Sequence, residues 1–206
     1  VSPRWVPQLA DTEDVVARLG TLPRSVYTAL VPNMKGLLRA IDCGIRSIAV
    51  FTAASESFSR MNTNGSIDEN FERFKPVVER ARQDSLRIRG YVSTAFACPF
   101  EGAIDPERTL AVIERLLDLG IGEVSVGDTI GVATPRDVER FLDGSCGRLD
   151  LSRIAFHFHD TYGMAIANVQ TALSAGAAVF DSSAGGLGGC PYAPGAAGNL
   201  ATEDLV

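Results

Sequence analysis

Short apolar runs rich in β-branched residues recur along this chain, and segments with helical periodicity separate them. The runs are VYTALVP (26–32), SIAVFTA (47–53), LRIRGYVSTA (86–95), EVSVGD (123–128), IAFHFH (154–159) and AVFDSS (178–183). Their spacing of roughly 20–40 residues is typical of successive βα units. Strands that alternate with helices predict a parallel sheet covered by helices, so the chain is expected to belong to the α/β class.

The segments between the runs carry recognisable helix boundaries. A helix start combines a capping residue with proline or glutamate in the first turn, and a glycine commonly follows the last turn. The predicted boundary residues are Ser66 with Glu69, Asp105 with Pro106 and Gly120, Thr134 with Pro135 and Gly144, and finally Gly176.

Two features favour a (β/α)₈ TIM barrel over an open doubly wound sheet, which the alternation also permits. Polar residues stand at the carboxyl ends of most predicted strands, where a barrel gathers them around one site. The first strand is not followed by the glycine-rich turn of a dinucleotide-binding sheet. These strand-end residues are Asn33, Ser55 with Glu56, Ser93, Asp128, His159 with Asp160, and Ser182 with Ser183.

Only six strands are found, whereas a barrel of this type has eight. Because six strands would leave two open edges, residues 1–206 are expected to be a single catalytic barrel domain truncated at both ends. The strands present would be the third to the eighth.

Composition excludes several classes of function. The formal net charge is −6 and the basic residues do not cluster, which argues against a nucleic-acid partner. No apolar run is long enough to span a bilayer, so no membrane partner is expected. Four widely spaced cysteines, without a zinc-ligand pattern, suit reduced thiols in a cytosol-like compartment.

The stretch FHFHD contains both histidines of the chain, His157 and His159. Residues i and i+2 of a strand point to the same face, so the two imidazoles can converge on one ion. The alternative is a pair of hydrogen-bonded core histidines, or one histidine that caps a helix. Asp160 and Thr161 follow directly and favour the interpretation as a metal site.

A glycine-rich loop, AGGLGGCPYAPGAAGN (184–199), follows the last predicted strand. Glycines allow the backbone to approach a ligand closely, and Cys190 within the loop is placed to act as an acid or a nucleophile. The loop ends at Asn199, whose amide oxygen is a competent ligand for a hard cation but whose type is also common at helix caps. Asp128 ends its strand and is open to a catalytic role or to a role in the turn.

These motifs resemble the 3-hydroxy-3-methylglutaryl-CoA lyase family of divalent-metal TIM-barrel lyases. The resemblance covers the whole chain and rests on VSPRWVPQ, FTAASESF, RGYVSTAFACPFEG, SVGDTIGVATP, FHFHDTYGMAIANV and GGLGGCPYAPGAAGNLATEDLV. It implies a retro-Claisen cleavage of the acyl-CoA substrate to acetyl-CoA and acetoacetate, as in leucine degradation and ketone-body formation, with Mg²⁺ or Mn²⁺ as cofactor.

The resemblance also implies roles for particular residues. The implied metal ligands are His157, His159 and Asn199, the implied catalytic residues are Cys190, Glu203 and Asp128, and the implied substrate-pocket residues are Tyr91 and Ser55.

One departure from the family pattern affects the expected activity. The family places an Arg-Asp pair on its first strand, where the Asp is a metal ligand, and a catalytic Glu on its second, and these 206 residues match neither. The chain alone is therefore expected to bind metal poorly and to be inactive, while the full-length gene product is expected to be active.

Three alternatives stay open at this point. The substrate could be a related 3-hydroxyglutaryl-CoA analogue, the chemistry could be that of an acyl-CoA condensing synthase, or the chain could be a non-catalytic binding unit. A bacterial-type cytoplasmic location is expected, or the mitochondrial matrix for a eukaryotic source, and a homodimer is left open.

Overall fold

The computed structural model describes residues 10–20, 25–189 and 198–206, and eight strands lie within them. In chain order they are β1 Thr28–Leu30, β2 Ser47–Ala53, β3 Arg87–Ser93, β4 Ala97–Cys98, β5 Gly102–Ala103, β6 Glu123–Asp128, β7 Ile154–Phe158 and β8 Val179–Asp181. Six of them form one parallel sheet in the order β1-β2-β3-β6-β7-β8, and β4 pairs with β5 in a small antiparallel ladder.

Helices occupy the segments between the strands. They are α1 Thr12–Leu19, α2 Met34–Asp42, α3 Glu56–Thr63, α4 Ile67–Gln83, α5 Pro106–Leu119, α6 Pro135–Ser145, α7 Ala165–Ser174 and α8 Thr202–Leu205, with short 3₁₀ turns at Leu151–Arg153 and Ala184–Gly186. Helix α4 packs on β2 and β3, α5 packs on β3 and β6, and α7 packs on β7. The α/β class and all six predicted strands of the parallel sheet are confirmed.

The two faces of the sheet have different chemistry. In β3, Ile88, Gly90 and Val92 are buried, and a Cβ on Gly90 would lie within 3.2 Å of Leu116 of α5. The alternate residues Arg89 and Tyr91 lie on the opposite face, because successive side chains of a strand point to opposite sides. The apolar core therefore fills the space between sheet and helices, and polar side chains line the other face.

The sheet curls around this polar face. Arg89 of β3 and Asp181 of β8 are separated by the intervening strands β6 and β7, yet Arg89 Nη2 donates to Asp181 Oδ1 at 2.7 Å. Three strand spacings in a flat sheet would hold the two backbones about 14 Å apart. Direct contact across that interval matches the wall of an incomplete (β/α)₈ barrel with the polar face inside.

Most predicted helix boundaries are confirmed. Ser66 and Glu69 form a reciprocal capping box at α4, and Asp105 caps α5 by accepting from Glu107 N at 3.0 Å. Gly120 ends α5 in a left-handed conformation with φ +94°. Gly176 follows the end of α7 with φ +101°, a backbone conformation that favours glycine.

One predicted boundary is wrong. Gly144 does not stop α6, which continues to Ser145. The glycine instead allows close packing between helices, because a Cβ there would lie 3.3 Å from Leu110 Cδ1 of α5. The sequence alone does not distinguish this use of glycine from a helix stop.

Two further findings concern the described part of the chain. Within it, no helix has the length and apolar character needed to cross a membrane. The three cysteines that it contains, Cys43, Cys98 and Cys146, are free thiols.

Candidate metal and substrate site

The two histidines lie side by side at the carboxyl end of β7. His157 is the fourth residue of that strand and His159 follows its last residue, so both point to the same face. Their ring centroids are 5.4 Å apart with an interplanar angle of 42°. His157 is partly exposed and His159 is buried, so the sequence prediction that the imidazoles converge agrees with the geometry.

Asn199 returns to the same place from the far end of the glycine-rich loop. It forms an isolated antiparallel bridge with His159, flanked by backbone hydrogen bonds from Asp160 N to Gly198 O and from Leu200 N to Phe158 O, both at 3.1 Å. The side-chain amide donates from Nδ2 to Leu187 O at 2.9 Å, and its Oδ1 is the atom that could bind a cation. Residues that are distant in sequence therefore meet at the end of β7.

The donor set is suited to a divalent cation. Two imidazoles and one amide oxygen are all competent ligands for Mn²⁺ or Mg²⁺, although imidazole is less usual for Mg²⁺. No cluster of three or more histidine, cysteine or acidic side chains that could hold an ion lies within the described residues. Imidazole nitrogens and an amide oxygen bind a cation as uncharged ligands, which predicts weak affinity for a cation by these three donors alone.

A carboxylate adjoins the histidine pair on the inner face of the sheet. Asp181 of β8 is in register with His157, and its Oδ2 lies 3.2 Å from His157 Nδ1 and accepts from Ser125 Oγ at 2.8 Å. Burial alone would raise the pKa of Asp181, but the His157 contact and the Arg89 charge lower it below its ordinary value. Asp181 is therefore an anion at neutral pH.

Arg89 joins Asp181 to two further groups. Its Nη1 donates to Tyr91 Oη at 3.1 Å, and its Nε lies 2.8 Å from Glu123 Oε1 as an ion pair without hydrogen-bond geometry. The Tyr91 ring stands edge-on to His157 at a centroid distance of 6.4 Å. Burial, followed by the Asp181 charge, raises the pKa of Tyr91, so its hydroxyl stays neutral.

Asp128 lies on the helix-covered side of β6. It is in register with the buried Phe158, and its carboxylate accepts from Val132 N at 3.2 Å and Ala133 N at 3.0 Å. Burial raises the pKa of Asp128 to about 6, although hydrogen bonds from the backbone of Ala133, Val132 and Gly131 lower it. The carboxylate thus holds the turn after β6, as one of the two sequence interpretations expected.

Glu203 anchors the first residues of the glycine-rich loop by a hydrogen bond. It lies in the first turn of α8 and its Oε2 accepts from Gly185 N at 2.8 Å. Hydrogen bonding to the backbone of Glu203 itself and of Gly185 lowers the pKa of its carboxyl. Gly198, at the other end of the loop, lies against Gly186. The approach is so close that a Cβ on Gly198 would overlap Gly186 O.

Ser55 and Cys190 complete the list of predicted site residues. Ser55 is fully buried, caps α3 by accepting from Phe58 N at 3.3 Å, and donates to Cys98 Sγ at 3.0 Å. The structure therefore gives Ser55 a structural position rather than one open to a substrate. Cys190 lies outside the described residues.

Sequence reasoning missed Asp181, Arg89 and Ser125. A signal for two of them was present, since Arg89 and Asp181 are charged residues inside apolar strand segments. Charges at such positions of a parallel strand are costly to bury unless they are paired. Their partners, however, depend on the curl of the sheet and not on neighbouring sequence.

Comparison with known proteins gives a consistent result. Residues 4–206 match the HMGL-like family. Hydroxymethylglutaryl-CoA lyase of Pseudomonas mevalonii is 53% identical over 206 residues, which are 100% of this chain and 68% of that protein. A Pseudomonas aeruginosa protein named 3-hydroxy-3-isohexenylglutaryl-CoA/hydroxy-methylglutaryl-CoA lyase is 49% identical over the whole chain and 69% of its own length.

The fold is likewise that of a solved relative. The crystal structure of hydroxymethylglutaryl-CoA lyase from Pseudomonas aeruginosa superposes with a TM-score of 0.95 at 49% sequence identity. The superposition covers 100% of this chain and 68% of that one. The expected incomplete barrel is confirmed by this match together with the curled six-stranded sheet.

Proposed function

Since the chain belongs to the HMGL-like family, we propose that it is a carbon–carbon lyase of 3-hydroxy-3-methylglutaryl-CoA. The products are acetyl-CoA and acetoacetate. The observation that carries this proposal is the convergence of His157, His159 and Asn199 at the carboxyl end of β7, at the base of the glycine-rich loop. In a (β/α)₈ barrel this face holds the active site.

Members of this family depend on a metal ion. When bound, a divalent ion polarises substrate oxygens as a Lewis acid and makes the tertiary hydroxyl easier to deprotonate. His157, His159 and Asn199 are proposed to hold it. Two imidazole ligands favour Mn²⁺ or another transition metal over Mg²⁺ on grounds of ligand softness. Because these donors are neutral, the 206-residue chain alone is expected to bind the ion weakly.

The chemistry requires two proton transfers. A base removes the proton of the tertiary hydroxyl, its electron pair forms the ketone of acetoacetate, and the bond between the hydroxyl-bearing carbon and the thioester methylene breaks. The electrons of that bond form the enolate of acetyl-CoA, which an acid then protonates on carbon. Cys190 is proposed as this acid, because a loop thiol can close over the substrate and exclude water.

Tyr91 is proposed as a substrate contact. Its hydroxyl is neutral and accepts from Arg89, so it can donate its own hydrogen to an oxygen of the substrate. It stands beside His157 on the inner face of the sheet. The corresponding proposal for Ser55 has less support, because its hydroxyl is buried and hydrogen-bonded to Cys98.

The two carboxylates are proposed to act mainly by holding loops. Asp128 orders the turn after β6 through backbone amides. Glu203 fixes Gly185, and its lowered pKa makes it a weak base at neutral pH. A group that removes the hydroxyl proton directly works best with a pKa near the operating pH. Of the two, Asp128 has the better matched pKa, and Glu203 has the better access to the loop.

The substrate of the site is proposed to be an acyl-CoA, and the alternative functions differ in its acyl group. The name of the second Pseudomonas relative includes a larger substituent at C3, which supports a related lyase as the alternative function. A location in the cytoplasm, as in a bacterium, stays a prediction.

A substrate comparison tests these proposals. The protein is given the thioester with methyl at C3, the thioester with isohexenyl at C3, and acetyl-CoA together with a 2-oxo acid. Cleavage of the methyl compound supports the main proposal, and faster cleavage of the isohexenyl compound supports the related lyase. Condensation with the 2-oxo acid in place of cleavage would exclude both.

A further inference from the structure

The inner face of the sheet carries a charged group directly behind the first of the two histidines. Asp181 accepts at Oδ1 from Arg89 Nη2 at 2.7 Å and at Oδ2 from Ser125 Oγ at 2.8 Å, and Oδ2 also lies 3.2 Å from His157 Nδ1. These contacts come from β3, β6 and β7 and converge on one side chain of β8. Both carboxylate oxygens are thus engaged, and only His157 among their partners belongs to the candidate metal site.

The direction of the hydrogen bond follows from the partners of the carboxylate. A guanidinium and a hydroxyl both donate to Asp181, so the group is ionised and can only accept. His157 must then donate from Nδ1, which leaves Nε2 as the ring nitrogen that can face a cation. A carboxylate behind the ring is also the usual means by which proteins hold a metal-binding imidazole in orientation.

We propose that Asp181, itself anchored by Arg89 and Ser125, is the positioning residue that fixes the tautomer and ring orientation of His157, so that Nε2 faces the cation. This inference rests on the proposed function only in taking His157 as a metal ligand. Asp181 acts through His157 and is not itself a ligand.

The first test leaves Asp181 unchanged. Nitrogen-15 NMR of the metal-free 206-residue chain resolves two imidazoles, because the chain has two histidines, and a His159→Gln variant assigns them. The proposal expects His157 to carry a hydrogen on Nδ1, the nitrogen that faces Asp181. A hydrogen on Nε2 with none on Nδ1 would overturn it.

The second test measures cation binding by the full-length protein with Co²⁺, which imidazole sites bind more tightly than Mn²⁺ and which reports its ligands in the visible spectrum. Asp181→Ala should weaken Co²⁺ binding by about 10–100-fold, the usual effect of removing such a partner. Asp181→Asn retains an acceptor oxygen, so it should keep the His157 tautomer and recover part of the affinity. Asp118→Asn, on the exposed side of α5, is the matched control and should bind like the wild type.

Circular dichroism of each variant separates loss of fold from loss of orientation. Should Asp181→Ala not fold, the tautomer in the wild type and the affinity of Asp181→Asn still decide the question. An Asp181→Ala protein that folds and binds Co²⁺ as the wild type does would overturn the proposal. A full-length wild type that binds no Co²⁺ would instead count against the proposed metal site, and the hydrogen position on His157 would still report on Asp181.

Discussion

Asn199 pairs with His159 through an antiparallel bridge at the end of β7, so the chain returns from the glycine-rich loop onto the strand that carries both histidines. The bridge places Asn199 directly opposite His159. It also fixes both ends of the loop, because Asn199 Nδ2 donates to Leu187 O on the other side. Loop position and ligand position are therefore coupled.

This coupling predicts the effect of changing Asn199. Asn199→Ala removes an oxygen ligand and the bond to Leu187, and we expect the affinity for Mn²⁺ or Co²⁺ to fall by more than about tenfold, since loss of an outer partner alone has that effect. Asn199→Asp keeps an oxygen and adds a charge, so its affinity should equal or exceed that of the wild type. Isothermal titration with each ion measures both. Equal affinities for the wild type and Asn199→Ala would show that the amide is not a ligand.

The base of the loop depends on glycine at position 198. A Cβ there would overlap Gly186 O, so Gly198→Ala must separate the two sides of the loop. We expect a loss of about 1–3 kcal/mol in the free energy of unfolding, the usual effect of overpacking, and a loss of lyase turnover. Urea denaturation measures the first. Gly122→Ala is the control, because its Cβ would lie 3.5 Å from Ile88 O, an ordinary contact; equal stability of the two variants would contradict the prediction.

The raised pKa of Asp128 predicts how the stability of the fold depends on pH. Its pKa in the folded chain is raised from 3.8 to about 6, so folding favours the protonated form. The resulting stabilisation is fully present below about pH 4 and is lost as the pH rises through 6. The difference corresponds to about 3 kcal/mol in the free energy of unfolding.

The measurement compares the wild type with Asp128→Asn by urea denaturation across pH 3.5–7 (about the range that spans both pKa values). Asparagine does not titrate, so the wild type should lose stability relative to the variant as the pH rises. A difference between the two proteins that stays constant over this range would mean that the pKa of Asp128 is not raised.

The proposed role of Cys190 predicts that its substitution lowers cleavage activity without changing the affinity for the metal ion. If its thiol protonates the carbon of the enolate, Cys190→Ala in the full-length protein should abolish most cleavage and leave the affinity for Mn²⁺ nearly unchanged. Acetoacetate formation and metal titration on the same preparation measure both quantities. The exposed Cys146 provides a control as Cys146→Ala. Turnover that survives in Cys190→Ala would make the thiol incidental.

The strands and the histidine pair were predictable because they depend on local periodicity. Alternation in the segment 154–159 places His157 and His159 on one face whatever the rest of the fold does. The capping box at Ser66 is equally local. For this reason the sheet, most helix boundaries and the two imidazoles agree with expectation.

Other features depend on geometry that no short segment contains. The Arg89–Asp181 contact exists because the sheet curls across two intervening strands. The sequence predicts a helix stop at Gly144, whereas the structure shows that this glycine allows α6 to pack closely against α5. The sequence places Ser55 at the end of a strand like other site residues, but in the structure it lies beyond β2, where its hydroxyl caps α3 and contacts Cys98. Each of these outcomes was decided by tertiary packing.

The most direct test of the proposed function uses the protein that carries this sequence with all the flanking residues its gene encodes. Incubated with 3-hydroxy-3-methylglutaryl-CoA and Mn²⁺ or Mg²⁺, it should form acetoacetate and acetyl-CoA in equal amounts. His159→Ala should lose both products together with metal binding. A folded, metal-loaded wild type that forms neither product, or a His159→Ala variant with undiminished turnover, would contradict the assignment.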